Sequence, residues 1–224
     1  MKVHVLVEGP SERAFFDRWL PRAFAGHQFI THPHQGKGTL PKDHKAPPLP
    51  RRFGLLDLLP ATLRAYSASP EMTDDGVLVV LDADDEDPGD LEKRIGKIVT
   101  AYAPARTMVR LAVEETEAYY LGDLRALKAA FPEADMGAAK AYVADSIVGT
   151  AEKFGEVVGD DGLRKVLWAE AMGPRVTTDP ARSRSPSFRA LHSGIRELVA
   201  ATRAPKPARK KHWKTRHSSI RKKK

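Results

Sequence analysis

No cysteine occurs among the 224 residues. Disulfides and thiolate metal centres are thereby excluded, and the absence fits a reducing, cytoplasmic setting. No apolar run approaches the roughly 18 residues needed to cross a bilayer, so no membrane association is expected. The opening "MKVHVLVEG" is too short, and too soon interrupted by Glu8, to act as a secretory leader. No Gly-x-Ser-x-Gly elbow or His-centred triad is present, which removes acyl-transfer chemistry. No internal repeat is visible either, so a solenoid is not expected.

Acidic residues are missing from one region altogether. From Arg203 onward, "RAPKPARKKHWKTRHSSIRKKK" carries 11 Lys/Arg and no Asp/Glu, which leaves 26 basic and 29 acidic residues in 1–202. The formal net charge of +8 is therefore a property of the end of the chain. With two prolines and almost no aliphatics, 203–224 is expected to be a disordered basic tail. Arg209, Lys210, Lys211 and Lys214 are candidate phosphate contacts, with Trp213 among them to stack on a base. A solubilising tail, or one docked on the acidic body, is the competing reading.

What is present points to an α/β protein. "KVHVLV" (2–7) alternates as a strand, and "GPSER" follows with Ser11 placed as a helix N-cap. "HQFITHPH" (27–34) is a second strand, and 36–54, rich in Gly, Pro and Lys, a long loop. "LLDLLPATLRAY" reads as a helix that Pro60 either kinks or cuts short. "GVLVVLD" (76–82) is apolar on successive positions, the mark of a strand covered on both faces. A helix over "LEKRIGKIVTAYA" and a strand over "TMVRLAVEE" (107–115) follow, and the chain then turns helical. This alternation predicts a mostly parallel sheet flanked by helices. The expected organisation is an α/β catalytic unit over 1–125, a helical part packed on it over 126–202, and the tail over 203–224.

"VVLDADDEDPGD" (79–90) gathers six carboxylates within nine positions. In a parallel sheet all strand carboxyl ends lie on one edge, which is where such folds bind ligands. Glu8, the pair Asp82 and Asp84, and the pair Glu114 and Glu115 would therefore converge. Uncompensated, they would raise one another's pKa and cost stability. Mg²⁺ or Mn²⁺ would turn that repulsion into coordination, since the donors are all oxygens. Two such ions would suit phosphodiester cleavage. Asp82 and Asp84, two apart, would point the same way if extended and share an ion. Asp87 and Asp90 read more simply as the cap of the next helix.

"VLVEGPSE" followed by "VVLDADDED" resembles the Toprim domain of topoisomerases, primases and OLD-type nucleases. The full layout more closely resembles small stand-alone Toprim-like proteins of prokaryotes, often encoded beside an ABC-type ATPase in defence loci. Those share "GKG" (Gly36–Gly38), the "EETEAYYLGD" segment (Glu114–Asp123) and the segment Trp168–Leu191. The resemblance covers roughly 1–200. It implies a Toprim-like, Rossmann-like fold, Glu8 as a metal ligand or general acid/base, and Asp82 and Asp84 as metal ligands. Glu114 and Glu117 would complete the site, with the choice among Glu114, Glu115 and Glu117 left open and a helix cap the plainer role for Glu117. No topoisomerase tyrosine context or primase zinc module is present, so cleavage is implied rather than strand passage or primer synthesis. A haloacid-dehalogenase-like phosphatase would place Asp-x-Asp after the first strand, not a later one.

The remaining candidates are cationic. Lys37, between two glycines, could meet a phosphate, although no P-loop Lys-Ser/Thr follows. Arg182, Arg184 and Arg189 in "RSRSPSFR" could hold phosphate at a helix start, with Ser187 as the plain N-cap. Lys165 is the candidate lysine for the scissile phosphate, and equally a snorkelling surface lysine. His32 and His34 lack a third ligand and read as packing or surface residues. The expectation is a Mg²⁺- or Mn²⁺-dependent nuclease acting on DNA, or in second place RNA, in a defence or repair context with an ATPase partner. The alternative is a non-catalytic nucleic-acid-binding or adaptor protein of an ATPase complex.

Overall fold

The computed structural model describes residues 1–104, 106–146 and 149–200. The basic tail, with Arg209, Lys210, Lys211, Trp213 and Lys214, lies outside the described residues.

Four parallel strands form one sheet: β1 (Lys2–Val7), β2 (Gln28–Pro33), β3 (Gly76–Asp82) and β4 (Thr107–Ala112), in the order β2-β1-β3-β4. In register, Val3 lies opposite Phe29 and Gly76, and Val77 opposite Thr107. Nine α-helices accompany them among the described residues. These are α1 (Pro10–Ala23), α2 (Leu55–Ala68), α3 (Pro88–Tyr102), α4 (Glu117–Leu121), α5 (Leu124–Ala130), α6 (Met136–Ala141), α7 (Thr150–Val158), α8 (Lys165–Met172) and α9 (Pro186–Ala200). The chain is thus α/β with an all-parallel sheet flanked by helices. No helix among the described residues is long and apolar enough to cross a membrane.

Side-chain alternation divides the core into two layers. Val3, Val5, Val7, Leu78 and Val80 face α1 and the C-terminal helices, where Phe15, Trp19, Tyr119, Phe154, Trp168 and Phe188 bury. Leu6, Val77, Val79 and Leu81 face α2 and α3, against Leu55, Leu59, Leu63, Leu91, Ile95 and Ile98. Every residue of β3 is buried, as its unbroken apolar run requires. Helices from 126 onward contribute to the same core layer as α1 and β1, with α8 packed on α1 and α9 on β4.

Several local expectations change. Pro60 does not end its helix; α2 runs through it, and Pro60 is buried there. Ser11 does not cap α1: the helix begins at Pro10 after Gly9, and the Ser11 hydroxyl donates to Glu12 Oε1 at 2.8 Å. Ser187 does not cap α9 either. Ser185 Oγ, two residues earlier than expected, accepts from Phe188 N (3.1 Å), while Ser187 N donates to Asp145 (2.6 Å). The helical stretch after Glu115 breaks at Gly122–Asp123 into α4 and α5. Asp87, by contrast, does cap α3 by accepting from Asp90 N at 2.8 Å.

Asp123 makes that break a joint. Its buried carboxylate accepts from Arg125 N and Ala126 N through Oδ1, capping α5, and from Thr177 N through Oδ2 at 2.8 Å. One side chain thus ties the segment after α8 to the start of α5. Replacing Asp123 by Ala strands three backbone donors, two of them buried, and should cost about 2–4 kcal/mol. Urea unfolding should show a lower midpoint at unchanged slope.

Candidate metal centre at the carboxyl edge

The chain leaves β1 toward β2 and leaves β3 toward β4, so the crevice between their carboxyl ends is the topological switch point of the sheet. Glu8 and Asp82 meet there. Glu8 follows β1, and its Oε1 accepts from Asp82 N at 2.8 Å. Asp82 is the last residue of β3, buried, with Oδ1 accepting from Thr116 Oγ1 at 2.9 Å. Glu117 opens α4 and is 2% exposed.

A fourth carboxylate belongs to this group, Glu12, in the first turn of α1 and buried. Its charge acts on Glu8, Asp82 and Glu117 together. As an acid in the first turn of a helix it has nothing in the sequence to single it out. Glu8 precedes α1 and Gly9 is extended, so no helical spacing links the two acids and only the fold brings them together.

Crowding in a desolvated crevice governs their protonation. Burial, with the charges of Asp84 and Glu12, lifts Glu8 from 4.5 to about 7, against the bond from Asp82 N. Burial likewise lifts Glu117 from 4.5 to about 7, with Glu115 and Glu12 adding to the rise and Lys165 opposing it. Asp82 is raised well above the usual range by burial and then by Glu8, Glu12 and Glu117.

Asp84 stands apart from Asp82. The extended geometry expected over 82–84 stops at Asp82, because Asp84 has φ 53° and turns the chain. Asp84 N donates to Glu114 O (3.0 Å), and its half-exposed carboxylate takes Lys37 Nζ at 2.9 Å. Lys37 also donates to Ala83 O (2.9 Å) and pairs with Glu86 (3.0 Å). Burial alone would lower its pKa, but the bonds to Asp84 and Glu86 hold it above the ordinary value. The flanking glycines aim this lysine. Gly36 (φ 84°) donates its N–H to Glu8 O, and Gly38 (φ 69°) packs so closely on Gly54 and Asp57 that no Cβ fits.

On the other side, β4 ends at Ala112, three residues short of the expected strand. Glu114 sits at φ 70°, so strand alternation does not separate it from Glu115. Both face the start of α7: Thr150 Oγ1 donates to Glu114 Oε2 (2.5 Å), and Ala151 N to Glu115 Oε2 (2.7 Å). Burial raises the pKa of Glu114, against the Thr150 bond. Lys165, at the head of α8, donates to Glu115 Oε1 at 2.8 Å and lies 4.0 Å from Glu117 Oε2. Burial disfavours its charge, yet Glu117 and Glu115 hold its pKa above the ordinary value.

The other candidates are placed elsewhere. Arg184 donates to the carbonyls of Ala139, Lys140 and Tyr142, and Arg189 to Ser183 O. His34 Nδ1 bonds Val7 O, and His32 stacks on His4 at 5.2 Å. These histidines fill packing positions.

The donor set is all oxygen and suits a hard divalent cation. Among the described residues, no group of three or more His, Asp or Glu side chains is already arranged to hold an ion. Glu8 is turned onto Asp82 N, Asp82 onto Thr116 and Glu114 onto Thr150. Binding would require these oxygens to leave intramolecular donors for the cation. Once these carboxyls are ionised their crowding favours that exchange, since a cation offsets the repulsion that burial leaves unscreened.

The family model described as a domain of unknown function, DUF4276, matches residues 7–196. The chain, an α/β protein with a carboxylate-lined switch point, belongs to that family. No curated protein and no solved structure matches it.

The raised carboxyls set a pH dependence. A carboxyl whose folded pKa lies above its unfolded one keeps its proton longer in the folded protein. The folded state then binds more protons between 4.5 and 7, and stability falls as pH rises through that window. In EDTA, melting temperature should drop between pH 5 and pH 8 by roughly 5 °C more in wild type than in Glu117→Gln. Added Mg²⁺ or Mn²⁺ should recover that stability at pH 8 and little at pH 5. Parallel curves for the two proteins would exclude Glu117 as a charge buried at cost.

Proposed function

We propose that the chain is a divalent-metal-dependent phosphodiesterase of Toprim type, a nuclease cleaving DNA or, in second place, RNA. The observation that carries this reading is the meeting of Glu8, Glu12, Asp82 and Glu117 at the switch point, with Lys37 and Lys165 at its two flanks. Buried like charges of this number have little structural use, since each raises the cost of ionising the next. A cation-binding role resolves the arrangement.

Glu8, Glu12, Asp82 and Glu117 would hold Mg²⁺ or Mn²⁺, with Asp84 and Glu114 at the rim. When bound, such ions lower the pKa of water and stabilise charge on a phosphate. The chain's own groups do the rest. Glu8 would be one of those ligands or, if it stays off the ions, the group that takes or returns a proton at its carboxylate. Lys165 and Lys37 are kept cationic by their carboxylate partners, so both can meet a phosphate oxygen while the partner carboxylates turn to the ions. The basic tail would hold the strand against an otherwise acidic face.

Purified protein incubated with supercoiled plasmid and Mg²⁺ or Mn²⁺ should nick it. Asp82→Asn and Glu12→Gln should each lower the rate by about 100-fold or more, while binding of the same DNA in EDTA changes little. Glu12 is the sharper case, because only the fold assigns it. Wild type that cuts neither DNA nor RNA in either metal would overturn the nuclease reading.

A further inference from the structure

Two open hollows of about 270 and 320 Å³ adjoin where α1 ends and α5 begins, sharing Asp123, Arg125 and Arg182. Five exposed arginines line them: Arg22, Arg125, Arg175, Arg182 and Arg184. They come from four separate places in the chain, so local sequence does not explain their meeting. Two carboxylates are present, Asp123 bonded to three backbone N–H groups and Asp179 to Ala181 N, and they offset only part of the charge of the five arginines.

The guanidiniums divide into held and unheld. Arg22 donates to Gly173 O and Val176 O, Arg175 to Ala171 O, and Arg184 to three carbonyls, which fixes their positions. Neutral carbonyls leave their charge uncompensated. Arg125 and Arg182 make no ion pair or side-chain hydrogen bond among the described residues. A concave surface with this excess of positive charge is built for an anion with several oxygens.

We propose that this hollow is a phosphate subsite for the backbone of a nucleic-acid strand. The inference rests on the reading of the chain as acting on nucleic acid, and extends it to where the strand runs. Arg22 lies ten residues beyond Glu12 on α1, hence about 15 Å along the helix axis. At ~3.4 Å per base pair, that is the rise of four to five pairs. A duplex spanning this distance would place one phosphate at the carboxylates and another among the arginines. The acidic edge, which repels a polyanion, then gains an anchor outside the tail.

The test is binding of a labelled duplex and a labelled single strand to full-length protein in EDTA, across a range of salt. Arg125→Glu/Arg182→Glu is compared with Lys93→Glu/Lys97→Glu, which changes net charge equally on the exposed face of α3. The arginine variant should bind with a log-log salt slope shallower by about two, the lysine variant with a slope close to wild type. Equal loss in both variants, loss in neither, or no binding by wild type overturns the subsite. Inorganic pyrophosphate that stabilises wild type but not the arginine variant, with nucleic-acid slopes unchanged, also overturns it in favour of a small-phosphate pocket. Cleavage is scored separately. A protein that never cuts but shows the selective slope change keeps the subsite and loses the hydrolytic reading.

Discussion

Mutual repulsion among buried carboxylates is the constraint around which the rest of this structure is arranged. Glu8, Glu12, Asp82 and Glu117 share a crevice where water cannot screen them, and burial is the largest cause of each resolved shift among them. A fold tolerates such a group only by supplying protons, donors or cations, and each has its counterpart here. Glu8 and Glu117 are poised to hold protons near neutrality, Asp82 N and Thr116 Oγ1 donate to Glu8 and Asp82, and Lys165 stands 4.0 Å from Glu117.

Those compensations are conditional, which separates this crevice from a structural ion-pair network. A bond from a backbone N–H or a threonine hydroxyl is far weaker than coordination to a divalent ion, so each can be exchanged for one. The lysines differ in kind. Lys37 is bound to the outer carboxylates Asp84 and Glu86, and Lys165 to the outer Glu115 at 2.8 Å, with the inner Glu117 farther off at 4.0 Å. Positive charge is thereby kept mostly at the rim, where a phosphate would arrive, and pairs only with Glu117 of the inner four.

How much of this was legible depended on which physics each residue obeys. Strand β1 alternates and β3 is a continuous apolar run, both legible as strands, and in a parallel sheet that alone sends Glu8 and Asp82 to one edge. Asp87 could be read as a cap because capping is local. Asp84 could not be placed, since a φ of 53° follows from the turn and its bond to Glu114 O and not from residue type. Glu12 was hidden for a different reason: an acid in the first turn of a helix is so ordinary that its burial against other acids becomes visible only in three dimensions. The short helices α6 and α7 have too few turns for their periodicity to stand out.

The expected division of the chain puts every candidate carboxylate in the unit over 1–125 and Lys165 in the helical part. The partners of the third acidic cluster show how closely the two parts share the site. Glu114 is held by Thr150, Glu115 by Ala151 and Lys165, and Glu117 faces Lys165. Each of those groups comes from beyond residue 125. Remove them, and Glu115 and Glu117 lose the cation that opposes their repulsion, while Glu114 loses its donor. The helices after 125 bury against α1 and β1 in a single core layer, so holding the fold and holding the charge are one task. The parallel sheet brings the carboxylates together, and the helical part makes it bearable for them to stay.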